Sequence, residues 1–127
     1  MPVVEDGRIR GRLVAVGEDR HSYQNLYQKK KTGLYATLDA DLTSTTQLSV
    51  GIDDQRNRPR GNTWGSFPMF LANGERTHWS RSVTTATDWA FWTRQTQTAF
   101  AELRQELGAG WSLRSTLSRR RYREDMA

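Results

Sequence analysis

The chain has 127 residues, no cysteine, 19 Lys and Arg against 14 Asp and Glu, and a formal charge of +5. That length suits one domain, and the missing cysteine excludes a disulfide scaffold or a thiolate zinc site. A mean hydropathy of -0.80 leaves little for a conventional core, yet five Trp are too many for a simple disordered chain.

The first element expected is a strand over about 8–18. Ile9, Gly11, Leu13, Ala15 and Gly17 share one parity, and Arg8, Arg10, Arg12 and Glu18 the other, interrupted by Val14 and Val16. A polar link carrying Tyr23, Leu26 and Tyr27 leads to the clearest alternation in the chain. Leu34, Ala36, Leu38, Ala40 and Leu42 stand opposite Tyr35, Thr37, Asp39 and Asp41, which predicts a strand over 30–43. After a short Ser/Thr-rich turn the pattern resumes with Leu48, Val50 and Ile52, so 47–55 is the returning strand of a β-hairpin.

The segment 56–94 has little periodicity. It holds Pro59, Pro68, Gly61, Gly65 and Gly74, with Trp64, Trp79, Trp89 and Trp92. Long structureless loops in a compact domain are uncommon and often functional. Next, 95–107 satisfies two periods at once. Phe100, Leu103 and Leu107 have helical spacing with Gly108 as a cap, while Ala99, Ala101, Leu103 and Leu107 also share one parity. Gly108-Ala109-Gly110 then turns into a strand over 111–121, where Trp111, Leu113 and Leu117 alternate with Ser112, Arg114 and Ser118.

No apolar run approaches the roughly 20 residues of a spanning helix, and no signal peptide opens the chain. Short turns at one end and long loops at the other are the plan of a transmembrane β-barrel. Its lipid face needs only alternate apolar residues and its interior is wet, which reconciles low hydropathy with a membrane protein.

Specific residues carry a family resemblance. Arg10-Gly11-Arg12-Leu13-Val14-Ala15, Leu34-Tyr35, Asp39-Ala40-Asp41-Leu42-Thr43, Pro59-Arg60-Gly61-Asn62-Thr63-Trp64-Gly65, Asp88-Trp89 and Gly110-Trp111-Ser112-Leu113 form an ordered set over nearly the whole chain. It resembles a barrel segment of TonB-dependent outer-membrane siderophore receptors of the ferric-pyoverdine and coprogen type. The resemblance tips 95–107 toward a strand. It implies an all-β fold of antiparallel up-and-down hairpins, about five strands of a much larger barrel of about 22 strands, unable to close alone. The plug domain is expected to be absent, and Pro2 to Gly7 to be the middle of a periplasmic turn. A fragment of this kind would supply barrel wall and an extracellular ligand-entrance loop in the cell outer membrane, without transport competence of its own.

The implied partners are a ferric siderophore, the TonB system through the missing plug, and outer-membrane lipid and lipopolysaccharide. Iron would arrive only inside its chelator, with no cofactor and no protein metal site, since His21 and His78 lie in no ligand pattern. Trp64, Phe67, Phe70 and Trp79, with Arg60, are the candidate ligand-binding residues, because aromatics beside arginine suit a bulky anionic chelate. Against that stands packing of the loop on itself, or an aromatic girdle. Trp111, beside a short turn, reads as an interfacial anchor. Arg56, Arg58 and Arg60, Lys29-Lys30-Lys31 and Arg119-Arg120-Arg121 suggest strand ends facing solvent or phosphate, with no nucleic-acid motif beside them. Asp39, Asp41 and Asp53 share a face with Arg10, Arg12 and Arg114, as a mixed-charge barrel wall would. No nucleophile and base can be paired, so no enzyme is expected. The alternative is a small soluble β-domain gripping carbohydrate or a partner through aromatic loops, which needs the Leu34 to Leu42 face buried under a second sheet.

Overall fold

The computed structural model describes residues 7–127. The expected turn at 2–7 therefore lies, apart from Gly7, outside the described residues. Five strands follow one another: β1 Ile9–His21, β2 Gln28–Asp41, β3 Thr46–Arg60, β4 Trp92–Gly108 and β5 Trp111–Met126. Each pairs antiparallel with the next, in the order β1-β2-β3-β4-β5, as one open up-and-down sheet. The two periods of 95–107 resolve as strand. β4 is hydrogen-bonded on both sides, to β3 and β5, and its odd residues extend the apolar face of β3.

The strands run further than the hydropathy alternation. β3 continues to Arg60 and β5 to Met126, beyond the expected ends at 55 and 121, and the long connection is 61–91 instead of 56–94. Beyond the apolar band both faces of a strand are wet, so hydropathy stops alternating while backbone pairing continues. At the other end the connections are tight. Leu42 and Thr43 donate their N–H groups to Thr46 O at 2.9 and 3.2 Å, and Gly108 and Gly110 take positive φ around Ala109.

Register aligns the parities into rows across the sheet. Ile9, Ala40, Leu48 and Leu103 form one row, and Gly11, Leu38, Val50, Ala101 and Leu117 the next. Above them lie Leu13, Ala36, Ile52 and Ala99, then Ala15 and Leu34. This face has no second layer. Leu13 is 72% exposed and Leu117 77%, and among the described residues the buried hydrophobic core amounts to Ala90. The covering sheet that a soluble domain would need is therefore missing from the described fold.

The upper edge of the apolar band is oblique to the rows. It falls from Ala15 and Leu34 to Ile52 and Ala99, one row lower, and then to Leu117, lower again. Two rows are about 13 Å along a strand, and four strand spacings about 19 Å, so the edge slopes by about 35°. Strands tilted by about 35–45° in a barrel wall give a band edge of this slope. Leu34 to Leu42 covers about 26 Å along β2, or about 22 Å once tilted, near the roughly 25 Å apolar height of such walls.

Candidate functional site

The opposite face is concave and polar. Val14, Gly33, Tyr35, Asp53, Gln55, Asn57, Arg94, Thr96 and Tyr122 line its open trough. Alternation puts them there, since each lies one residue out of phase with the apolar rows. Several charges on this face are paired. Arg10 holds Asp41 through two hydrogen bonds, 2.5 Å from Nη1 and 2.8 Å from Nη2. Gln47 donates to the same carboxylate at 3.1 Å, and Ser49 donates to Asp39 at 2.5 Å. Glu102 accepts from Arg104 at 2.6 Å and lies 3.7 Å from the Arg114 guanidinium. Of the acidic residues expected on this face, Asp39 and Asp41 are thus engaged with neighbours as wall groups. Phe100 stands directly across from Gly51, and its ring fills the space over that glycine.

The long connection 61–91 sits at the sheet end opposite the tight turns. Its first residue is clamped. Gly61 has φ +65°, donates its N–H to Ala90 O at 2.8 Å, and has Leu26 packed where a Cβ would stand. Leu26 itself takes a φ of 67° within the β1–β2 connection. Asn25 N–H donates to Ser82 O at 2.9 Å, and the Arg81 guanidinium lies 5.3 Å from the Tyr23 ring centre. The two long connections are thus bound to each other by backbone and side chain together.

Within the connection is a small turn. Leu71 N–H donates to Glu75 O at 2.8 Å, Gly74 N–H to Leu71 O at 2.9 Å, and Thr77 N–H to Met69 O at 2.9 Å. Phe70 bridges Arg76 across it. Phe67 and Trp79 are in ring contact at 4.7 Å, and Trp79 Nε1–H donates to Pro68 O at 3.0 Å. Trp64 lies elsewhere, 4.7 Å from Trp92. The Arg94 guanidinium stacks 3.5 Å over that Trp92 ring, and Trp92 Nε1–H and Arg94 both reach Glu124 on β5.

The five residues singled out by sequence therefore separate. Phe67 and Trp79 form one pair, which supports packing of the loop on itself for those two. Trp64 belongs to a different pair, while Phe70 has neither ring contact and is 57% exposed. Arg60 ends β3, bridged to Phe91 and exposed. Sequence reasoning missed Trp92, Arg94, Glu124 and Tyr122 as a connected group. Their shared even parity on β4 and β5 was a readable signal, but only once the strands were extended past the apolar band. Trp111, 73% exposed, shares the parity of Leu113 and Leu117 within β5. Among the described residues no group of three or more His, Asp or Glu is placed to hold a metal.

No protein-family model matches the chain. It is 41% identical over 111 residues to the ferripyoverdine receptor of Pseudomonas aeruginosa, an alignment covering 87% of this chain and 14% of that protein. It is 32% identical over 113 residues to the ferric-pyoverdine 358 receptor of Pseudomonas putida, covering 89% of this chain and 14% of the receptor. Among solved structures, the outer-membrane ferripyoverdine receptor of Pseudomonas aeruginosa bound to ferripyoverdine superimposes with a TM-score of 0.89 at 38% identity. That match takes in 98% of this chain and 17% of the receptor chain. The chain thus spans about a seventh of the length of the curated relatives it matches.

Proposed function

We propose, from its homology to one segment of the ferripyoverdine receptors, that this chain is a stretch of outer-membrane receptor wall serving ferric-siderophore uptake. One observation carries the reading. A continuous apolar band crosses all five strands on an uncovered face, at the slope of a tilted wall, and backs onto a polar face that carries several ion pairs. In a bilayer every strand N–H and C=O needs a partner, so a sheet with free edges on β1 and β5 requires neighbouring strands to complete it.

On this reading the apolar face meets outer-membrane lipid, the tight turns point to the periplasm, and 22–27 and 61–91 lie outside the cell. The loop 61–91 helps shape the ligand entrance. Trp64 and Phe70, 63% and 57% exposed, offer the apolar area for a ferric siderophore, and Arg60 offers positive charge. Phe67 and Trp79 hold the loop's shape through their mutual contact. Coupling to TonB would run through parts of the receptor beyond this stretch. Receptor-deficient cells making only this chain are therefore expected to take up no ferric siderophore, and uptake above background would reject that expectation.

The cysteine-free sequence permits a direct test of the wall. Single cysteines are introduced at Leu38, Val50 and Ile52 on one face and at Gln55, Thr96 and Thr98 on the other, with the chain replacing the matching segment of the ferripyoverdine receptor. A water-soluble thiol reagent should label the second set and spare the first, while a lipid-borne reagent should do the reverse. Equal labelling of the two sets would remove the membrane-wall reading.

A further inference from the structure

A pair of indole rings closes the neck of the connection 61–91, and one carboxylate on β5 holds that pair. Trp64 stands just past Gly61, and Trp92 opens β4 directly after the connection ends. Their ring centres are 4.7 Å apart. The two rings are anchored unequally. Phe91, next to Trp92, exchanges both backbone hydrogen bonds with Ala127 at 3.1 Å and is bridged to Arg60, so Trp92 is mounted on paired backbone. Trp64 lies outside any strand, is 63% exposed, and among the described residues has its ring contact with Trp92. Trp92 in turn is fixed at its polar edge and over its ring. Its Nε1–H donates to Glu124, and the Arg94 guanidinium stacks 3.5 Å over the ring. Glu124 faces Arg94 in register, with 3.3 Å between its carboxylate and Nε. That Nε is buried and makes no hydrogen bond among the described residues. The charge contact therefore lacks hydrogen-bond geometry, and the directional hold of Glu124 is on the indole N–H.

We propose that Glu124 is a positioning residue for ferric-siderophore capture: it fixes the orientation of Trp92, and through that ring the place of Trp64 at the ligand entrance. The inference rests on the entrance reading of 61–91 and adds to it a residue on β5, outside the connection. The outer torsion of a tryptophan side chain is broad, so packing alone leaves the ring free to turn. A charged acceptor at the N–H edge selects one orientation, and hydrogen bonds of this charge-assisted kind are about twice as strong as neutral ones. A ring whose place is set beforehand has less freedom to lose when the ligand arrives. Glu124 also balances the charge of Arg94. Its removal thus has two opposed effects, since it releases the ring pair and frees a cation for an anionic chelate. Glutamine separates the two, because it keeps an acceptor for the indole N–H and carries no charge.

The test places the chain in the matching segment of the ferripyoverdine receptor and titrates ferripyoverdine binding beside the urea midpoint. Glu124→Ala should weaken binding about tenfold, the scale of one hydrogen bond to a charged group, with little change in the midpoint. Glu124→Gln should keep most of the affinity. Trp92→Phe retains a ring but drops the N–H; it should lose a similar factor, and it supplies the readout should Glu124→Ala fold poorly. Asp125→Ala, on the other face of β5 across from Thr93, should leave binding unchanged. Trp64→Ala should also weaken binding. In that background Glu124→Ala should cost less than about twofold more, because residues acting through one contact are not additive. The exciton signal of the paired indoles in circular dichroism should fall in Glu124→Ala and persist in Glu124→Gln. The proposal is overturned if Glu124→Ala leaves binding unchanged or tightens it, if glutamine loses as much as alanine, or if the loss is undiminished without Trp64. With Trp64→Ala still weakening binding, those outcomes leave the entrance reading standing. Trp64→Ala without effect would overturn both.

Discussion

Leu38→Arg is the sharpest probe of the wall, because its cost follows from depth. Leu38 lies midway between Leu34 and Leu42 on the apolar parity of β2, in the row of Gly11, Val50, Ala101 and Leu117. Four residues separate it from either edge, about 13 Å along the strand and about 11 Å in depth after a tilt of about 35°. An arginine at that depth cannot bring its guanidinium fully to either interface without distorting lipid. The expected destabilisation is about 2–4 kcal/mol, falling to about 0–1 kcal/mol for the same change at Leu34 or Leu42. Thr98→Arg is the control. Thr98 lies on the polar face between Asp53 on β3 and Arg120 on β5, so a cation there meets water and one charge of each sign. The assay is a urea titration of bilayer-inserted protein, followed by tryptophan fluorescence, with the chain placed in the matching segment of the full receptor. A flat response across Leu34, Leu38 and Leu42, or a Thr98→Arg cost equal to that of Leu38→Arg, would refute the assignment of faces.

Other consequences can be checked in the same receptor. Trp64→Ala and Phe70→Ala should weaken ferric-siderophore capture with little change in the barrel's urea midpoint, whereas Phe67→Ala should increase proteolysis of 61–91 by removing the partner of Trp79; binding titrations and limited digestion separate the two. Gly61→Ala combines a positive φ with overlap of the Leu26 carbonyl, so it should loosen the contact between the two long connections, read as faster amide exchange at Asn25 and Gly61. Gly51→Val would drive the Phe100 ring from its place, where a Cβ would stand 2.6 Å from Cε1 and 2.9 Å from Ala36 O. That overpacking should cost about 1–3 kcal/mol in the same urea titration.

Strand identity and facing were legible in the sequence wherever one side of the strand is apolar and the other polar, because that contrast writes a period of two. From Leu34 to Ile52 the apolar parity named in advance is the parity that lines up across the sheet. At 97–107 local spacing served helix and strand equally, and pairing with β3 and β5 decided it by satisfying the backbone of β4 on both sides. Above the band the contrast vanishes, so the last turns of β3 and β5 carried no signal, and their residues looked like loop and tail. Nor does any local pattern join Trp64 to Trp92, Gly61 to Leu26 or Asn25 to Ser82. Those contacts exist because strands of this length bring the β1–β2 and β3–β4 connections to one rim. Sequence alone determined which residues share the apolar face; the register and the strand lengths decided which of the remainder stand together.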